Sequence, residues 1–254
     1  MSEPLTPASV PGDPVAEVLL SVTGVTAGYG QGLVLQGVDL TVRSGELVVV
    51  IGPNGHGKST LLRAISGLVP AIQGRIDFAG ERISGLRTER IVARGLTQIP
   101  QGDLLFPDMS VQENLLLGSF RRDAHRQRAA SLERVFELFP RLKERRTQRA
   151  RTLSGGERRM VAIGRGLMSN ARMLLIDEPS LGLAPVLVTE LYHQIAAISS
   201  TGTTVLLVEE NVTHVREVAD RLCLMETGQV VASGTPDQVL SDPSVMRTYL
   251  GVGE

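Results

Sequence analysis

The sequence predicts an α/β fold: a mainly parallel sheet with flanking helices, an antiparallel β subdomain at its N-terminal side and an inserted helical subdomain. Three observations carry this expectation. The β-branched run Glu46–Ile51 leads through Gly52, Gly55 and Gly57 into the helical spacing of Leu61, Leu62 and Ile65. Short apolar runs at Met173–Ile176, Val205–Val208 and Arg221–Met225 are separated by helical patterns at Val186–Ile198 and Asn211–Ala219, and such β-α-β alternation implies parallel pairing. Residues 111–168 have helical periodicity and few strand formers.

The elements follow in order. Residues 1–16 contain Pro4, Pro7, Pro11 and Pro14 without a long apolar stretch, so they read as a flexible tail and not as a secretory leader. The remainder, 17–254, reads as a single domain whose helical subdomain spans about 103–168. Val18–Val25 and Val34–Val42 are strands joined through the glycine-rich turn 28–32. Gly74–Phe78 and Glu81–Ile83 flank Ala79-Gly80 as a hairpin, Thr88–Arg94 is a short helix closed by Gly95, and Leu96–Ile99 is a strand. Helices are expected over Val111–Leu117, Ala124–Phe139 and Glu157–Met168, a hairpin turn at Thr227-Gly228 and a terminal helix over Pro243–Leu250.

Composition narrows the function. With 42% apolar and 21% charged residues, the 254-residue chain has ordinary globular usage and enough length for one good core. Its longest apolar runs fall far short of the roughly 18 residues a membrane helix needs. Cys223 is the only cysteine, which excludes an internal disulfide and suits a reducing compartment. A net charge of −1 gives no drive toward nucleic acid. The basic residues are unevenly spread, with eleven Arg or Lys against four Asp or Glu between Arg121 and Arg151; this is a solvated helical face or a surface for a partner. Only Lys58 and Lys143 among the 26 basic residues are lysine, and a compact ammonium fits between phosphate oxygens where a planar guanidinium does not.

Gly52-Pro53-Asn54-Gly55-His56-Gly57-Lys58-Ser59-Thr60 follows a strand and precedes a helix, the context in which a Gly-x-x-x-x-Gly-Lys-Ser loop cradles phosphates. Its glycines let successive N–H groups point at one anion, the helix start adds positive potential, Lys58 bridges phosphate oxygens and the Ser59 hydroxyl binds Mg2+. The core is therefore of the P-loop NTPase type, and ATP with Mg2+ is the expected ligand pair. His56 occupies a variable loop position where its backbone is the part that matters.

Leu174-Leu175-Ile176-Asp177-Glu178-Pro179 is an apolar strand ending in two carboxylates that alternation sends to different sides. Asp177 can hold the metal through water, while Glu178 polarises the attacking water as the catalytic base. Leu153-Ser154-Gly155-Gly156-Glu157 opens a long helix, and offers a hydroxyl, flexible amides and a positive dipole end to an anion. A plain helix cap uses the same residues.

At this five-residue signature the chain resembles the ATP-binding-cassette ATPases. The resemblance implies that Ser154, Gly155, Gly156 and Glu157 face the terminal phosphate of ATP held by another subunit's glycine loop, so that two chains are needed for each site. It implies that Tyr29 stacks on adenine and that Gln101, in Ile99-Pro100-Gln101-Gly102, touches the metal and reports nucleotide state to a membrane partner; Gln98 is a nearby competitor.

Two positions depart from the family pattern. Glu210 stands where most members carry a histidine that contacts phosphate, and the loop Ser180-Leu181-Gly182-Leu183-Ala184 lacks a common aspartate. Both departures, with Asp177–Pro185, Val208–Asn211, Val111–Gly118 and Phe139–Leu142, resemble the second ATPase subunit of branched-chain amino-acid importers and related amide or urea importers. The implied function is an ATP-hydrolysing energy-coupling subunit at the inner face of the cell membrane. Its implied partners are a sister ATPase subunit or a second copy, two membrane permeases and, indirectly, an external solute-binding protein, with no nucleic acid. A nucleotide-gated subunit with weak hydrolysis is the alternative, with Glu210 in a catalytic position either way.

Overall fold

The computed structural model describes residues 16–242 and Val245; the expected tail and most of the expected terminal helix Pro243–Leu250 lie outside the described residues. Two sheets make the frame. The first is antiparallel, in the order β2-β1-β4-β5, from β1 (Val18–Tyr29), β2 (Gly32–Arg43), β4 (Ala71–Phe78) and β5 (Glu81–Arg82). The second has the order β10-β9-β3-β8-β7-β6 and contains β3 (Leu47–Ile51), β6 (Leu96–Ile99), β7 (Met173–Asp177), β8 (Thr204–Glu209), β9 (Arg221–Glu226) and β10 (Gln229–Gly234). Strands β6, β7, β8, β3 and β9 run parallel, and β10 closes the edge as an antiparallel hairpin.

The parallel strands sort their side chains by period two onto two covered faces. Leu47, Val49 and Ile51 of β3 join Leu174, Ile176, Val205, Leu207, Leu222 and Leu224 in one core cluster. Val48, Val50, Leu175, Leu206, Val208, Cys223 and Met225 point the other way into a second cluster with the antiparallel sheet and α1 (Lys58–Ile65). Each fully buried Leu or Ile contributes roughly 1.5–3 kcal/mol. With both faces dry, the polar strand ends are where chemistry meets solvent.

Between β6 and β7 the chain is helical, after α2 (Thr88–Ala93): α3 (Val111–Leu116), α4 (Arg122–Arg126), α5 (Arg128–Leu138), α6 (Pro140–Glu144) and α7 (Gly155–Leu167). Ser110 and Ser154 start α3 and α7 through reciprocal capping boxes with Glu113 and Glu157. The long helix α8 (Pro185–Ser200) has proline at its first position, and the short α9 (Pro236–Leu240) is capped by Thr235.

Two helical expectations are corrected. Ala124–Phe139 is divided at Gln127, whose N–H bonds back to Ala124 O while Arg128 Nη1 takes the His125 carbonyl at 3.1 Å. Asn211–Ala219 forms turns and not a helix. Asn211 Oδ1 accepts the Thr213 amide at 2.8 Å, and Val212 and Val215 are buried by the turns instead.

Candidate functional site

The loop after β3 wraps the start of α1. Gly57 has φ +103°, a conformation that suits glycine, and gives α1 no side-chain cap, so the first-turn amides stay available to an anion. A Cβ at Gly52 would be driven into the Met225 carbonyl, which explains glycine there. Lys58 is 3% exposed and its Nζ donates to Gly52 O at 2.7 Å and Pro53 O at 3.1 Å. The loop carbonyls thus point the ammonium into the loop mouth. His56 is tied to the β9–β10 turn: its carbonyl accepts Gly228 N–H at 3.0 Å and its Nδ1 accepts Thr227 N–H at 3.1 Å.

The carboxylates come from the end of β7. Asp177 is 1% exposed and accepts Ser59 Oγ–H at 2.8 Å. Burial, opposed by that hydrogen bond and reinforced by the Glu178 charge, pushes the Asp177 carboxyl above its ordinary value. Glu178 leaves the strand with φ +41°, and its Oε1 lies 3.4 Å from Lys58 Nζ while Oε2 accepts Gln101 Nε2–H at 2.9 Å. Gln98 instead accepts the Ser66 hydroxyl at 2.6 Å, away from this pair. Tyr29 is 48% exposed and its hydroxyl accepts from Arg63 Nη1 at 3.0 Å. Burial raises the Tyr29 phenol, but hydrogen bonds from Arg63 and Thr60 outweigh it and hold the phenol below its ordinary range.

Glu210 turns toward the glycine loop, where its Oε2 accepts Asn54 Nδ2–H at 2.8 Å. The neighbouring Glu209, 2% exposed, accepts Ser180 N–H at 3.1 Å and Glu210 N–H at 3.2 Å. Burial pushes the Glu209 carboxyl up although Tyr192 and Ser180 also bond to it. His214 stacks on Tyr192 with ring centroids 6.1 Å apart. These groups line a cleft that reaches Glu178.

Ser154, Gly155, Gly156 and Glu157 start α7 and are fixed by their own capping box. Three arginines of α7 hold the loop after Gln101: Arg159 Nη1 donates to Gly102 O at 2.8 Å, Arg158 Nε to Asp103 at 2.9 Å and Arg165 Nη1 to Leu104 O at 2.9 Å. Sequence reading missed these arginines, Glu209 and Arg63, because each acts across tens of residues; the basic run after the signature was the available signal.

The donor set suits a hard divalent cation. Ser59 and Asp177 present adjacent oxygen ligands, and Mg2+ characteristically takes one or two protein oxygens with phosphates and water completing its shell. The described residues contain no cluster of three or more His, Cys, Asp or Glu side chains suited to a metal, so any all-protein cage is absent among them. No helix among the described residues is long and apolar enough to cross a membrane.

Residues 35–181 match the family described as "ABC transporter", and residues 229–254 match "Branched-chain amino acid ATP-binding cassette transporter". The chain is 42% identical over 233 residues to the high-affinity branched-chain amino acid transport ATP-binding protein BraG of Pseudomonas aeruginosa, covering 92% of this chain and 100% of that protein. It is 36% identical to the lipopolysaccharide export system ATP-binding protein LptB of Haemophilus influenzae, covering 92% of this chain and 97% of that one. Among solved structures, the ADP conformation of MJ1267, an ATP-binding cassette of an ABC transporter, superposes with a TM-score of 0.83 at 29% identity, covering 93% and 100% of the two chains. The α/β architecture, its antiparallel sheet and its helices agree with those of such cassettes. The chain belongs to the ABC transporter family, as one of its ATP-hydrolysing cassettes.

Proposed function

We propose that this chain is the energy-coupling ATPase subunit of an importer for branched-chain amino acids, acting as one of two paired cassettes beneath two membrane permeases. The observation that carries the solute class is the match of residues 229–254, which include β10 and α9, to the branched-chain amino acid cassette family. The 42% identity to BraG supports the same reading.

The site's chemistry follows from its residues. The amides of 52–60 and the start of α1 receive the phosphates of ATP, with Lys58 between their terminal oxygens and the Tyr29 ring against adenine. Ser59, Asp177 and Gln101 would hold Mg2+, which would neutralise phosphate charge. Glu178 orients and deprotonates the water that attacks the terminal phosphorus; the bond to the bridging oxygen breaks and ADP leaves with that electron pair. Lys58 and Gln101, both in contact with Glu178, fix the direction of its carboxylate. Asn54 holds Glu210 at the loop edge, which sets its charge against an amide and not against phosphate. Residues 154–157 receive the terminal phosphate of the nucleotide on the paired cassette, a sister chain or a second copy.

We take about 103–168 as the helical subdomain that meets the permeases. Leu104, Phe106, Leu117 and Phe120 are exposed there, at 67%, 53%, 41% and 68%, and the last three line one groove beside Pro100. An apolar cluster beside Gln101 suits a permease segment that senses the site. The assembly would then be held on the inner face of the cell membrane, with an external solute-binding protein delivering cargo.

The test is transport by the assembled complex in vesicles. ATP-dependent accumulation of leucine, isoleucine or valine is expected. Movement of an amide, urea or a lipopolysaccharide instead would overturn the solute assignment, and nucleotide-independent transport would overturn energy coupling.

A further inference from the structure

The signature segment contains a charge problem. An anion received at the start of α7 needs the Ser154 hydroxyl, the amides and the helix dipole, yet Glu157 turns a carboxylate back onto the same residues. Its Oε2 accepts Ser154 N–H at 2.8 Å and Ser154 Oγ–H at 2.9 Å. The hydroxyl's single proton is therefore directed at a carboxylate and not outward. Burial opposes ionisation of Glu157, but its bonds to Ser154 and the charges of Arg145 and Arg141 hold the carboxyl below its ordinary range, so it is an anion at neutral pH.

The other carboxylate oxygen is met from outside the segment. Arg145 Nε lies 2.7 Å from Glu157 Oε1. Arg145 sits just after α6 in a loop that is itself fastened: Val111 N–H bonds to Gln148 O at 2.9 Å, Gln112 N–H to Arg146 O at 2.9 Å, and Arg145 Nη1 to Gln148 Oε1 at 3.1 Å. The guanidinium is thus presented by a fixed backbone. It keeps the carboxylate paired when the Ser154 proton is given to another acceptor.

We propose that Arg145 is a positioning residue of the nucleotide site, which cancels the Glu157 charge and so lets Ser154 and the start of α7 receive the terminal phosphate held by the paired cassette. The inference rests on the paired-cassette reading above. It also gives one member of the basic excess between Arg121 and Arg151 a specific task.

The experiment is a double-mutant cycle on steady-state ATP hydrolysis, run on the full chain in the assembly in which it turns ATP over. Arg145→Gln is expected to lower kcat/KM about tenfold, the size expected for one unpaired charge near phosphate after solvent screening, mainly through KM. Arg145→Lys keeps the charge and should retain most of the wild-type value. In a Glu157→Gln background the Arg145→Gln change should cost less than about twofold, because no charge is left to cancel. Equal losses for Arg145→Lys and Arg145→Gln, equal losses in both backgrounds, or no loss in either would overturn the proposal. Gly155→Asp separates this from the parent reading. A Cβ at Gly155 meets nothing closer than Arg158 Nη2 at 3.9 Å, so the variant fits and simply adds a carboxylate. Undiminished turnover with Gly155→Asp sinks the paired-cassette reading itself, whereas a loss there with a flat cycle sinks only the role of Arg145.

Discussion

Lys58 and Glu178 form one ion pair, 3.4 Å from Nζ to Oε1, with the ammonium simultaneously held by the carbonyls of Gly52 and Pro53. The group proposed to bind phosphate and the group proposed to activate water are thus set against each other. Lys58→Ala is expected to weaken ATP binding and lower turnover at least about a hundredfold, since a buried charge partner and a phosphate ligand are lost together. Lys58→Arg should not rescue, because the planar guanidinium is too large for a niche that leaves the lysine 3% exposed. Nucleotide titration by fluorescence checks both, and rescue by arginine would contradict the geometry.

Asp177 closes β7 at the buried end of the parallel sheet. Its carboxyl is buried beside Glu178, so its pKa in the fold lies above the ordinary value of 3.8. A raised acid pKa means the favourable contribution is complete below about the unfolded value and is lost as pH rises through the folded one. Asp177→Asn is therefore expected to stabilise the ligand-free protein at pH 7 by on the order of 1 kcal/mol, a Tm increase of about 2–4 °C. It should also remove the stabilisation that MgATP gives the wild type. Thermal melts with and without MgATP, repeated near pH 4, where the gain should shrink, test both parts.

Glu210 contacts Asn54 and so faces away from a purely repulsive role. Glu210→Gln preserves an oxygen acceptor for the Asn54 amide and removes a negative charge near the phosphate loop. Turnover should stay within about threefold of wild type or rise. A loss of tenfold or more with an unchanged melting curve would show that the carboxylate itself is needed.

Phe120 is 68% exposed, so Phe120→Asp should leave the melting temperature of the isolated chain within about 1 °C. Copurification with the permeases is expected to fall sharply. Retained copurification would move the docking surface elsewhere, toward the arginine-rich helices.

Local signals made part of this molecule legible. Strand, glycine loop and helix at residues 46–65 could be read because the apolar period changes from two to 3.6 across nine residues whose glycines and single lysine have few other uses. The parallel strands were legible because each is a short apolar run buried on both faces. Long-range pairings were not. Nothing in the spacing of Gln101 and Glu178, 77 residues apart, or of Arg145 and Glu157, says that they touch. The segment 211–219 misleads for a different reason: Val212 and Val215 repeat at helical spacing, but successive turns bury both without a helix. The break at Gln127 coincides with Arg128 donating to the His125 carbonyl, a contact with no spacing signal in the sequence.

On the proposed function, Glu178 makes the glycine loop the hydrolytic half of a shared site. Single-turnover and steady-state ATP hydrolysis by Glu178→Gln, beside nucleotide binding by the same protein, tests it most directly. Turnover is expected to fall by about 10²–10⁴ while ATP affinity holds within a few fold, the signature of a lost general base in an intact pocket. Turnover within a few fold of wild type would rule out Glu178 as the base.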